Sequence, residues 1–164
     1  MQGRDKLSTA ERLSLLAYTS NCYSPIKQLL RTGTGVKECL PVAEKINAAL
    51  KKFHPTDKPI LYRLTDFGTV SDLPKKGSIF NYKSFMSTSE SKAIFDSPFF
   101  PKANTHIFIK PAQKSSGKKI MKCSVNECES EVLFPPTTKF KVLNVGKSYI
   151  KPGFARLDFE EIAN

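Results

Sequence analysis

The sequence lacks any apolar run near the roughly 20 residues that a membrane-spanning helix needs. Its start, Met1 to Ser8, is polar and charged instead of carrying the apolar stretch of a secretory signal, so a soluble, unprocessed chain is expected, with no membrane partner. Cysteine is sparse. Cys22, Cys39, Cys123 and Cys128 are too few for a disulfide scaffold in 164 residues and are not spaced as a zinc site, which makes reduced thiols the default and gives no metal centre. There is no G-x-G-x-x-G and no G-x-x-x-x-G-K-[ST], so neither a dinucleotide-binding Rossmann unit nor a phosphate-binding loop is expected. Ser116-Gly117-Lys118-Lys119 reads only as a tight turn, and no internal repeat is present.

What is present is globular. With 40% hydrophobic and 25% charged residues the chain has enough apolar surface for one core, and a single domain over residues 1–164 is expected. The net charge is +11, from 26 basic and 15 acidic residues. Residues 51–120 carry 13 basic against 5 acidic side chains, an excess of 8, whereas residues 121–164 balance at 6 and 6. Such a region attracts nucleic acid, an acidic protein or a phosphorylated ligand, and composition alone does not separate these.

Ser8-Thr9-Ala10-Glu11 has the form of a capping box, followed by Leu13, Leu16 and Ala17 at helical spacing, which predicts a helix from about Thr9 to Thr19. Pro25 to Arg31 predicts a second, short one, and Val36 to Phe53 a third, with Pro41 either in its first turn or breaking it. After His54-Pro55 the period changes. Residues 60–64, 84–88, 106–109, 119–123, 131–134, 140–143 and 155–159 all read as short strands bounded by Gly, Pro, Ser or Asn. A helical part over 1–55 followed by a strand-rich part over 56–164 is the α+β order, not βαβ alternation. The one long irregular stretch, Glu90 to Thr105, contains Phe95, Phe99 and Phe100.

Three places in the strand-rich part carry chemistry. Glu129-Ser130-Glu131 leads into an apolar strand, where residues i and i+2 share a side about 6.5 Å apart, so two carboxylates would face one site, as glycosidic chemistry requires. Alone, such a pair is most often a solvated strand start. Arg63 interrupts the apolar strand Ile60-Leu61-Tyr62-Arg63-Leu64, where a planar guanidinium fork could grip phosphate or carboxylate. Ser87-Thr88-Ser89 closes a second strand after Phe85-Met86, with hydroxyls that could position a carboxylate or a ribose.

In this order, an arginine on the first strand, Phe-x-Ser-Thr-Ser on another, then Glu-x-Glu before an apolar strand and proline, the chain resembles the mono-ADP-ribosyltransferases of the R-S-E class. The resemblance extends over about residues 10–145, taking in Tyr18 to Arg31, Ser116 to Ile120 and Glu129 to Phe140. It implies amino-terminal helices followed by two packed mixed or antiparallel β-sheets, with NAD as co-substrate and without a metal. It also implies roles. Arg63, with Leu64 beside it, would bind NAD phosphates or ribose; Ser87, with Thr88 and Ser89, would support the catalytic carboxylate and the nicotinamide ribose. Glu131 would bind the ribose and stabilise the oxocarbenium, and Glu129 would orient and deprotonate the acceptor. In that family a Glu at the first position goes with arginine as acceptor, which fits bidentate carboxylate–guanidinium pairing. One of Phe95, Phe99 or Phe100 would stack on nicotinamide.

The sequence departs from the family in having no arginine between Arg63 and Arg156, leaving Lys92 or Lys102 as further phosphate contacts, and no aromatic residue in the loop Lys122 to Cys128. The implied activity is transfer of ADP-ribose to a protein arginine by a toxin, effector or phage-encoded modifier. It would act in the cytoplasm of a target cell, reached by a secretion system or phage, on an acidic or nucleic-acid-associated target and under an inhibitory or immunity protein. The alternatives are an NAD glycohydrolase, which gives the same sugar to water, and a basic nucleic-acid-binding module.

Overall fold

The computed structural model describes residues 7–11, 13, 30, 40–98, 100–123 and 128–163. At the amino end the capping box is formed. The Glu11 amide donates to Ser8 Oγ at 3.2 Å and the Ser8 amide to Glu11 Oε2 at 3.0 Å, and Thr9 to Glu11 and Leu13 are helical. The Lys52 ammonium donates to the same carboxylate at 2.8 Å and, with the Ser8 amide, holds it below its ordinary pKa. Of the expected helix over 25–31 only Leu30 lies within the described residues, and it is helical. The third helix, α1, spans Leu40–Leu50, so Pro41 stands in its first turn, where a missing N–H costs nothing. Ala43, Ile46, Ala49 and Leu50 recur on its buried stripe and pack with Phe85, Ile120 and Leu133.

Eight strands follow: β1 (Leu61–Thr65), β2 (Ile79–Tyr82), β3 (Met86–Ser89), β4 (Thr105–Lys110), β5 (Lys118–Cys123), β6 (Cys128–Phe134), β7 (Thr138–Lys147) and β8 (Ala155–Glu161). They form one ladder in the order β2-β7-β8-β4-β1-β3-β6-β5, antiparallel except for the parallel pair β4 and β8. The link between β1 and β3 is a single register pair, Tyr62 with Ser89. The ladder thus divides into a five-stranded and a three-stranded leaf. Their facing sides share one core, in which Met86, Val132 and Phe134 of the smaller leaf pack with Ile107, Phe140 and Phe159 of the larger. The other side of the smaller leaf takes the helix. This is the expected α+β arrangement of helices and packed sheets.

Three departures from the sequence expectations have physical causes. Strand β2 was not expected, because Ile79-Phe80-Asn81-Tyr82 follows two lysines and a glycine and has Ile79 exposed. It exists through pairing with β7, and Gly77, at φ 85°, turns the chain so that its amide donates to the Val142 carbonyl at 2.7 Å. The stretch after Glu90 is not irregular throughout, since Lys92–Asp96 forms a 3₁₀ helix capped by Ser91, whose Oγ accepts from the Ala93 amide. Strand β6 begins at Cys128, three residues before the expected start, because its register with β5 carries on to the pair Cys123 and Cys128.

The turn at Ser116 does more than join strands. Glu161, at the end of β8 and buried, accepts from Ser115 Oγ at 2.6 Å, the Ser116 amide at 2.7 Å, Ser116 Oγ at 2.9 Å and the Ala112 amide at 3.2 Å. Gly117 follows because a Cβ there would stand 2.8 Å from the Phe134 ring. Among the described residues no helix is long and apolar enough to cross a membrane.

Candidate active site

The site is built where the two leaves separate. Arg63 projects from β1 on the side of Leu61, since in the antiparallel register with β4 it pairs with Ile107. Its guanidinium reaches across the junction, and Nη1 donates to the Ser87 carbonyl of β3 at 2.8 Å. Ser87 in turn donates its hydroxyl to Glu131 Oε1 on β6. Arg63, Ser87 and Glu131, from three strands, are therefore one hydrogen-bonded chain, with Ser87 contributing its carbonyl to one neighbour and its side chain to the other. The pairings of Ser87 with Leu133 and of Ser89 with Glu131 put Ser87 and Glu131 on the same side of the smaller leaf as diagonal neighbours. All three side chains are half-buried, sheltered by the fold yet within reach of a ligand.

Glu129 occupies the β6 position opposite Lys122, two residues before Glu131; its side chain lies outside the described residues, as do residues 124–127 of the preceding loop. Thr88 is buried and donates its Oγ1 to the Val132 carbonyl at 2.8 Å, and Leu64 is buried in β1. Ser89 Oγ accepts from the Ser91 amide at 3.0 Å and shapes the exit from β3. Of the three candidates for stacking on nicotinamide, Phe95 is buried against Tyr62, His106 and Phe108, with ring centroids 4.3 to 5.7 Å away. Phe99 lies outside the described residues, and Phe100 is exposed.

Arg156, the other arginine among the described residues, is bound to Asp158 at 3.0 Å, with its guanidinium carbon 3.8 Å from the centre of the Phe108 ring. Lys92 and Lys102 are exposed, and Lys58 and Lys119 flank the nearly buried Glu90 side chain at 4.0 and 3.5 Å, just beyond Ser89. Sequence reasoning missed one neighbour of Arg63. Tyr82 Oη accepts from Arg63 Nη2 at 3.3 Å, and no local signal in the sequence marks that contact. Beside these two residues lies a cavity of about 180 Å³, also lined by Thr65, Phe67, Phe80 and Met86, which stops short of Glu131.

The donor set suits an anionic dinucleotide. Among the described residues two of the five N–H donors of the Arg63 guanidinium are engaged, by Ser87 and Tyr82, which leaves three for phosphate oxygens. A carboxylate held by a serine hydroxyl next to that fork can stabilise positive charge on a ribose. The arrangement fits an enzyme that breaks the glycosidic bond of NAD. The chain matches the family model of the ADP-ribosyltransferase exoenzymes over residues 2–160 and belongs to that family, so NAD is its co-substrate and ADP-ribosyl transfer its reaction class.

Solved structures share the fold. The Clostridium limosum C3 exoenzyme is 20% identical, with a TM-score of 0.77 over 99% of this chain and 89% of that one. C3larvin toxin, an ADP-ribosyltransferase from Paenibacillus larvae, is 21% identical, with a TM-score of 0.74 over 98% and 91%. Exoenzyme S from Pseudomonas aeruginosa, in complex with human 14-3-3 protein beta and bound to carba-NAD, is 21% identical, with a TM-score of 0.73 over 94% and 74%. No curated protein sequence matches the chain.

Proposed function

We propose that this chain is a catalytic domain, over residues 1–164, that transfers ADP-ribose from NAD to an arginine side chain of an acceptor protein. The observation that carries the reading is the hydrogen-bonded run from Arg63 through Ser87 to Glu131, with Glu129 two positions earlier in the same strand. Arg63 binds the pyrophosphate. Glu131, oriented by the Ser87 hydroxyl, offsets the positive charge that develops on the nicotinamide ribose as the bond to nicotinamide breaks and the neutral base leaves with the bonding pair. Glu129 pairs with the acceptor guanidinium and takes its proton as a guanidinium nitrogen bonds to the anomeric carbon. The choice of arginine rests on the glutamate at that first position.

The structural neighbours include bacterial toxins, and by that likeness the protein acts as a toxin or effector inside a target cell, delivered by a secretion system or phage. The excess of 8 positive charges over residues 51–120 favours an acceptor that is acidic or sits on nucleic acid. Incubation with labelled NAD and a whole-cell lysate, followed by mass spectrometry of the labelled protein, tests the reading. Label on an arginine supports it. Label on another residue type overturns the specificity, and nicotinamide release without any labelled protein overturns the transferase in favour of hydrolysis.

A further inference from the structure

Tyr82 belongs to none of the three signatures, and it lies on β2, the edge strand of the larger leaf. Its hydroxyl nevertheless meets one end of the Arg63 fork at 3.3 Å, while the other end meets the Ser87 carbonyl at 2.8 Å. The guanidinium carbon stands 5.4 Å from the centre of the Tyr82 ring, within cation–π range. The two contacts come from opposite leaves of the ladder, and together they fix both the position and the plane of a side chain that is otherwise rich in rotamers. A guanidinium that is already ordered spends less of its interaction with a phosphate on its own immobilisation.

We propose that Tyr82 is a positioning residue for NAD recognition, holding the Arg63 fork in the plane that presents its remaining N–H donors to the pyrophosphate. The inference rests on the assignment of Arg63 to NAD made above. It separates binding from chemistry: Tyr82 touches Arg63, whereas the contact that orients Glu131 runs through the Ser87 hydroxyl and does not involve the tyrosine. Tyr82→Phe keeps the ring and its packing against Phe80 and removes the hydroxyl that meets Arg63.

The test is a double-mutant cycle on the full chain, with Tyr82→Phe, Arg63→Lys and the pair of them, read by calorimetric titration with ADP-ribose and by steady-state NAD cleavage. Tyr82→Phe is expected to raise both the ADP-ribose Kd and the KM for NAD about three- to tenfold with kcat unchanged. In the Arg63→Lys background it should add nothing, because a lysine has no fork to orient. An unchanged KM in Tyr82→Phe overturns the proposal. So does an equal penalty in both backgrounds, which is the mark of a merely structural tyrosine and stays readable even if the variant is less stable. Wild-type protein that binds neither NAD nor ADP-ribose overturns the enzymatic reading itself. Tight wild-type binding with an unimpaired Arg63→Lys overturns only the role of Arg63 and, with it, that of Tyr82.

Discussion

Replacing Ser87 by alanine separates two contacts that pass through one residue. The carbonyl that receives Arg63 Nη1 is backbone and survives the substitution, whereas the hydroxyl that donates to Glu131 is lost. A hydrogen bond to an ionised acceptor contributes about 1.5 to 3 kcal/mol. Glu131 is half-buried, so water replaces part of the lost donor and the lower end applies. About 1.5 kcal/mol corresponds to about a tenfold fall in kcat. Because Arg63 keeps its partner, the KM for NAD should stay within about twofold. Initial rates of nicotinamide release across a range of NAD concentrations, with a thermal melt to confirm the fold, give both parameters. Full kcat in a folded Ser87→Ala protein refutes the hydroxyl's role. A rise in KM at constant kcat refutes the division of labour between carbonyl and hydroxyl.

Glu131→Gln should lower both NAD hydrolysis and protein labelling by about 10² to 10³, whereas Glu129→Gln should abolish labelling and leave most of the hydrolysis; parallel assays of nicotinamide and labelled protein decide, and equal losses in Glu129→Gln contradict an acceptor-directed role. Glu161→Ala strands the donors at Ala112, Ser115 and Ser116 and should cost about 2 to 4 kcal/mol in urea unfolding, and a loss within experimental error would show that the buried clamp is idle. His106 is fully buried between Phe95 and Phe154, with Nδ1 2.6 Å from Ser148 Oγ. Burial first, and Lys151 next, push its pKa below 6.5, against a smaller opposing pull from Asp96. With the native value depressed, the unfolded chain binds the proton more readily, so the stability from a neutral His106 is complete above 6.5 and is lost as pH falls through the native value. Unfolding midpoints measured from pH 7.5 to 5 should therefore decline less in His106→Phe than in wild type, and parallel declines would exclude His106 as the cause.

The sequence by itself determined what depends on near neighbours along the chain. The Ser8 to Glu11 capping box, the helical stripe of Ile46, Ala49 and Leu50, and the period-two strands after Pro55 all follow from local backbone geometry. Arg63, Ser87, Glu129 and Glu131 were singled out in another way, because their order along the chain resembles the R-S-E signature, whereas each alone reads more readily as framework or solvated surface. What only the tertiary structure decided lies across long loops. Ser87 meets Glu131 at a separation of 44 residues, Arg63 meets Ser87 at 24 and Tyr82 at 19, and Glu161 reaches the Ser115 turn at 46. Strand β2 exists because β7 pairs with it, and Phe95 is buried because Tyr62, His106 and Phe108 offer it a dry aromatic pocket. A local pattern says which side of an element is apolar; which polar group then meets which is settled only when the leaves fold against each other, because a buried hydrogen-bonding group must find a partner wherever the chain brings one.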